Sequence, residues 1–181
     1  MIFTETRLKG CYVIEPQVFT DERGYFMETF NSEKFAKGIG KPINFVQDNQ
    51  SFSKKGVLRG LHYQTGKFAQ AKLVRVLSGS VLDVAVDLRK NSPTFGEHFV
   101  DVLSSENKKQ LFIPRGFGHG FIVLSDSAEF FYKCDNYYNK DSEGGIIFSD
   151  PTLNIDWELP QEELIVSEKD GILPTIDKAR L

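Results

Sequence analysis

The chain has 181 residues, 40% of them hydrophobic and 26% charged, with a formal net charge of −3. That length and balance fit one globular domain with a sizeable core and exclude a disordered chain. The negative balance argues against a general nucleic-acid binder, which carries a basic surplus, but leaves room for a nucleotide ligand held by a few local cations.

At the N-terminus, Met1-Ile2-Phe3-Thr4-Glu5-Thr6-Arg7 lacks the basic-then-apolar pattern of a signal peptide. Ile2-Phe3-Thr4-Glu5-Thr6 alternates and predicts a strand able to add to the sheet edge of a neighbour. No uncharged apolar run approaches the roughly 18 residues of a membrane span. The expectation is a cytoplasmic protein with no membrane partner. Cys11 and Cys134 form no disulfide framework or metal-ligand spacing, and their apolar surroundings predict small core residues.

Runs with a period of two occur at residues 11–15, 25–30, 44–53, 71–78, 81–88, 98–104, 109–113, 121–124 and 129–138. Turn signals separate them, among them Asp21-Glu22-Arg23-Gly24, Ser53-Lys54-Lys55-Gly56 and Asn91-Ser92-Pro93. Many short strands at this spacing predict a β-sandwich or barrel. Asn31 to Gly38 reads as a short helix with Ser32 as its N-cap and a C-terminal glycine. The polar tail from Pro160 to Leu181 predicts a turn or two of helix. With no repeat, low-complexity tract or linker, residues 1–181 read as a single all-β domain.

Side-chain parity groups the polar strand residues. Gln47 and Asn49 share a face, as do Asp83 and Asp87, and Tyr132 and Tyr138 share one if their strand continues that far. These faces point either into a wet interior suited to a polar ligand or out into solvent.

Val57-Leu58-Arg59-Gly60-Leu61-His62-Tyr63-Gln64 reads as a core strand with an unusual polar load. Each polar group buried without a partner costs roughly 1–3 kcal/mol, so a binding cavity is the expected compensation. Arg59 and His62 are an odd number of residues apart, and a regular strand aims them at opposite faces. A bulge at Gly60 would bring them together.

The only other histidines are His98 and His119. Around His119, Pro114-Arg115-Gly116-Phe117-Gly118-His119 resembles the second motif of the cupin superfamily. The first motif of metal-binding cupins has a His-x-His pair, and here the matching stretch is His62-Tyr63-Gln64. An amide is a poor transition-metal ligand, so Gln64 argues against a metal and leaves His62 either free as an acid or base near neutral pH or a satisfied core histidine.

Several further segments follow in order: Phe19-x-Asp21-x-Arg23-Gly24-x-Phe26-x-Glu28, Gln47-Asp48-Asn49-x-Ser51, Lys72-x-Val74-x-Val76, Asp83 to Arg89, Ser92 to Gly96, Tyr132-Lys133, Tyr138, Asp150-Pro151, Trp157 and Lys169-Asp170. In order and spacing the set resembles the dTDP-4-dehydrorhamnose 3,5-epimerase family, metal-free cupins, from about residue 2 to residue 170. The resemblance implies a cupin-type jelly-roll barrel (double-stranded β-helix), a homodimer and no cofactor. It implies conversion of dTDP-4-dehydro-6-deoxy-D-glucose to dTDP-4-dehydro-β-L-rhamnose in dTDP-rhamnose biosynthesis. The hydrogens at C3 and C5 are both α to the C4 ketone, and proton abstraction and reprotonation invert both carbons.

By the same resemblance His62 is the base, Asp170 its orienting carboxylate, Tyr132 the acid on the opposite face and Lys72 the cation beside the C4 oxygen. Arg23 and Arg59 meet the diphosphate, and Tyr138 stacks on the thymine. Phe26, Glu28, Gln47, Asp48, Asn49, His119, Glu143 and Lys169 complete the substrate-binding set. The alternatives are an epimerase that inverts one carbon of a related nucleotide-linked 4-keto sugar, a metal-dependent cupin, which Gln64 opposes, and a sugar-nucleotide binder without turnover.

Overall fold

A computed structural model describes all of residues 1–181. In chain order its strands are β1 (Ile2–Glu5), β2 (Tyr12–Glu15), β3 (Val18–Asp21), β4 (Gly24–Met27), β5 (Gln47–Lys54), β6 (Val57–Gln64), β7 (Lys72–Ser78), β8 (Ser80–Asp87), β9 (His98–Ser104), β10 (Gln110–Ile113), β11 (Phe117–Val123), β12 (Ser127–Cys134), β13 (Glu143–Gly145) and β14 (Ile165–Val166). Helix α1 (Ser32–Ile39) follows β4, and the one-turn helix α2 (Glu168–Gly171) follows β14.

The strands form two facing sheets of a jelly roll. One has the order β1-β2-β10-β7-β12-β5, the other β13-β6-β11-β8-β9, with β14 pairing in parallel beside the start of β6. The sheets pack face to face and stay open at their edges, so the jelly roll is a sandwich and not a continuously hydrogen-bonded barrel. The inner faces meet in a core of Val74 and Val76 from β7, Phe130 from β12, Val81 and Ala85 from β8, and Phe121 and Val123 from β11. β8 is buried on both faces, because the chain after β13 folds back over the second sheet and packs Ile146, Leu153 and Trp157 on Leu82, Val84 and Val86. Cys11 and Cys134 are both buried free thiols, as expected of small core residues.

Helix α1 covers the outer face of the first sheet by setting Phe35 and Ile39 on Leu73 and Phe112. Its N-cap is Asn31, one residue before the expected Ser32: the Asn31 side chain accepts from the amides of Glu33 and Lys34, both at 3.1 Å. Gly38 lies inside the helix, where a Cβ would fall 2.4 Å from the Phe3 ring, and the left-handed Gly40 ends it. β12 stops at Cys134, so Tyr138 lies in a loop and not on a continued strand with Tyr132.

Candidate active site

The inner faces turn polar at one end of the sandwich and enclose a cavity of about 630 Å³. A neighbouring hollow of about 190 Å³ shares Asn49, His62, Lys72 and Tyr132 with its wall. β6 and β11 bring His62 and His119 from one sheet, while β5, β7 and β12 bring Asn49, Lys72 and Tyr132 from the other.

Gly60 decides what β6 presents. Between His62 and Arg59, β6 spans three residue steps where β11 spans two, since His62 pairs with His119 and Arg59 with Phe121. That is a bulge, and it puts Arg59 and His62 on the same face. Gly60 has φ +123°, and a Cβ there would fall 2.6 Å from the Gly120 Cα and 2.7 Å from the His119 carbonyl oxygen. Only glycine tolerates both the conformation and the contact.

On its other side β6 pairs with β14 at Val57 and Leu58 and with β13 from His62 onward. In the gap between them sits Asp170, delivered by α2. Its Oδ2 accepts the Gly60 N–H at 3.2 Å and its Oδ1 lies 2.7 Å from His62 Nε2. Ser167 caps α2 by accepting the Asp170 amide at 3.1 Å. Burial alone would raise the Asp170 carboxyl, but the hydrogen bond and charge of His62 and the Gly60 amide outweigh it and hold the group below the usual aspartate range. Asp170 is therefore ionised at neutral pH, Nε2 carries the ring hydrogen, and Nδ1 is the nitrogen of His62 left free.

Across the cavity, Lys72 Nζ stands 5.8 Å from the centroid of the Tyr132 ring. Burial pushes the Lys72 ammonium below the ordinary lysine range, with Cys134, Asp83 and Glu143 opposing the shift. Burial pushes the Tyr132 phenol up, so it keeps its proton at neutral pH. Arg59, whose Nε donates to Ser53 Oγ at 3.2 Å, adds a second cation to the wall.

A second imidazole–carboxylate pair lies beside the first. His119 Nε2 is 3.1 and 2.9 Å from the two oxygens of Asp83, and Asp83 has no exposed surface. Asp83 is absent from the site expected from sequence. The signal was there: a carboxylate in the apolar run Val81 to Val86 needs a buried partner. Finding that partner required the register of β8 on β11.

At the rim, Gln47 donates to Asn49 Oδ1 at 3.1 Å and accepts the Tyr138 amide at 3.2 Å. Tyr138, more than half exposed, donates its hydroxyl to Glu143 at 3.1 Å, and Lys169 donates to the same carboxylate at 2.7 Å. These residues thus gather with His62, Lys72 and Tyr132 around one cleft.

Four expected binding residues lie elsewhere. Asp48 falls on the opposite face of β5 from Gln47 and Asn49, where it pairs with Lys133 at 2.9 Å. That is the consequence of strand alternation. Arg23 and Phe26 sit on the β3–β4 hairpin, where Phe26 is 71% exposed and Arg23 pairs only with Asp21 of the same hairpin. Glu28 pairs with Lys34 at 2.8 Å. None of the four lines the cavity of its own chain.

The three imidazoles do not converge. His98 pairs in register with Val86, whose side chain faces the outer layer, while His62 and His119 face inward.

The family model for dTDP-4-dehydrorhamnose 3,5-epimerase matches residues 5–178. The Shigella flexneri protein of that name is 55% identical over 92% of this chain and 91% of its own length. Among solved structures, the Elizabethkingia anophelis NUHP1 dTDP-4-dehydrorhamnose 3,5-epimerase superposes with a TM-score of 0.94 at 58% identity, covering 97% of both chains. The dTDP-6-deoxy-D-glucose-3,5-epimerase of Legionella pneumophila Philadelphia 1, solved with dTDP-4-keto-L-rhamnose, superposes with a TM-score of 0.93 at 48% identity, covering 97% of this chain and 93% of its own.

Proposed function

The chain belongs to the dTDP-4-dehydrorhamnose 3,5-epimerase family, and we infer from this premise that its cavity takes dTDP-4-dehydro-6-deoxy-D-glucose and inverts C3 and C5. The observation that carries the mechanism is His62 on one sheet, backed by Asp170 from α2, facing Tyr132 and Lys72 on the other.

Each inversion removes a carbon-bound proton from one face of the sugar and returns one to the other. His62 Nδ1 takes the proton, and Asp170 stabilises the imidazolium that forms while keeping the ring in place. The C4 carbonyl becomes an enolate, whose oxygen carries the charge. Lys72 is the cation that stabilises it, an effect worth about 3–4 kcal/mol in comparable oxyanion sites. Tyr132 returns the proton from the opposite face. Positioned acid–base groups contribute roughly 10²–10⁴ each. One ketone acidifies both C3 and C5, so the same set serves both carbons.

In this reading Arg59 holds the diphosphate, Tyr138 stacks on the thymine, and Gln47, Asn49, His119, Glu143 and Lys169 complete the contacts to sugar and nucleotide. Arg59 suits phosphate because its planar fork gives two parallel donors.

Arg23, Phe26 and Glu28 enter the same reading through a homodimer, by serving the cavity of a second copy. Two features support this. The β3–β4 hairpin exposes Phe19, Tyr25 and Phe26 by more than half each, and β1 leaves one edge of its sheet unpaired. No helix is long and apolar enough to cross a membrane, and the proposed location is the cytoplasm.

Solvent deuterium tests the function. Substrate turned over in D₂O and read by NMR is expected to gain label at both C3 and C5. Label at one carbon reduces the activity to a single inversion, and label at neither overturns it.

A further inference from the structure

Gln64 occupies the position at which metal-binding cupins carry a histidine, and nothing in the proton-transfer chemistry uses it. Its side chain is nonetheless 7% exposed and fully engaged. The amide nitrogen donates to the carbonyls of Phe68 at 2.8 Å and Tyr137 at 3.1 Å, and the amide oxygen accepts the Asn139 N–H at 2.6 Å. Two of these three bonds bracket Tyr138. The backbone amide of Tyr138 itself goes to Gln47.

The ring of Tyr138 is 55% exposed, so packing does not orient it. What orients it is the backbone on either side together with the bond from its hydroxyl to Glu143, and one buried amide, that of Gln64, holds both flanking residues. A loop ordered before the ligand arrives does not lose its freedom on binding, and affinity rises by that difference. A carboxylate or an imidazole at position 64 could not supply two donors to carbonyls and one acceptor to an N–H together; a primary amide does.

We propose that Gln64 is a positioning residue for nucleotide recognition: it clamps the 137–139 loop so that Tyr138 is presented ready to receive the nucleobase. The proposal rests on Tyr138 being the base platform, and the test separates the two.

The measurement is dTDP affinity by calorimetry for the full chain and for Gln64→Met, Tyr138→Ala and the double variant. Gln64→Met keeps the shape of the side chain and removes all three hydrogen bonds. It is expected to weaken dTDP on the order of tenfold, the scale of re-ordering one loop and its side chain. In the Tyr138→Ala background the same change is expected to add almost nothing, because the ring it positions is gone. With substrate, KM should rise by more than kcat falls. Hydrogen exchange should quicken at residues 136–141 and not in β6.

If Gln64→Met does not fold, Gln64→Glu takes its place, since it retains the acceptor for Asn139 and sets an oxygen against the two carbonyls. Additive losses in the double variant, or unchanged dTDP affinity in Gln64→Met alongside a weakened Tyr138→Ala, overturn the clamp and leave the platform standing. Unchanged affinity in Tyr138→Ala overturns the platform and the clamp with it.

Discussion

Arg59 and His62 face the same cavity although they lie three residues apart on one strand, because the bulge at Gly60 inserts a residue that β11 does not match. The same bulge leaves the Gly60 N–H without a strand partner, and Asp170 accepts it while also holding His62. One backbone irregularity thus brings Arg59, His62 and Asp170 to one site.

Gly60→Ala is therefore expected to damage both stability and turnover. The added Cβ meets backbone atoms at 2.6 and 2.7 Å and the residue must keep φ +123°. The loss should reach about 2 kcal/mol or more in urea unfolding. Gly171→Ala, where a Cβ meets open space, should stay within about 0.5 kcal/mol. Equal, small effects at both positions would refute the role given to the bulge.

Two substitutions at Asp170 should come apart. Asp170→Asn can accept from His62 or from the Gly60 N–H but not from both, and it cannot stabilise an imidazolium, so kcat should fall roughly 10²–10⁴-fold with a measurable loss of stability. Asp170→Ala removes both acceptors and should cost about 1–3 kcal/mol beyond the Asn variant. Since the folded-state pKa of Asp170 lies below its ordinary value of 3.8, its contribution is fully present above pH 3.8 and fades as pH falls through the lower, folded value. The stability gap between wild type and Asp170→Asn should narrow in that acid window and stay constant near neutrality.

Burial moves Lys72 and Tyr132 in opposite directions, the ammonium down and the phenol up. The alkaline limb of kcat/KM should then report loss of the Lys72 charge and lie below the ordinary lysine value of 10.5. Lys72→Arg should shift that limb upward or remove it, at reduced rate. A limb unmoved in Lys72→Arg but shifted in a Tyr132 variant would assign it to the phenol instead.

Complementation tests the shared site. His62→Ala and Arg23→Ala proteins should each be impaired. If the hairpin of one chain serves the cavity of the other, mixing the two after reversible dissociation restores one complete site per heterodimer: the His62-bearing cavity with the Arg23-bearing hairpin. Activity well above the mean of the parents is the expected result. No recovery would remove Arg23 from the site.

Read alone, the sequence determined the all-β class through period-two alternation, and the ordered motifs determined the family. Alternation reports which side of a strand a residue takes, because successive side chains point to opposite faces. It grouped Gln47 with Asn49, and the same rule puts Asp48 on the far face with Lys133. It could not decide whether Arg59 joins His62, since that depends on a bulge created by how β6 pairs with β11. Nor could it find Asp83 behind His119, or the gap beside β6 that Asp170 fills from 108 residues away. Those relations belong to the register and stacking of strands distant in sequence. Only the folded sandwich fixes them, because long-range pairing is set by the whole core and not by any local run of residues.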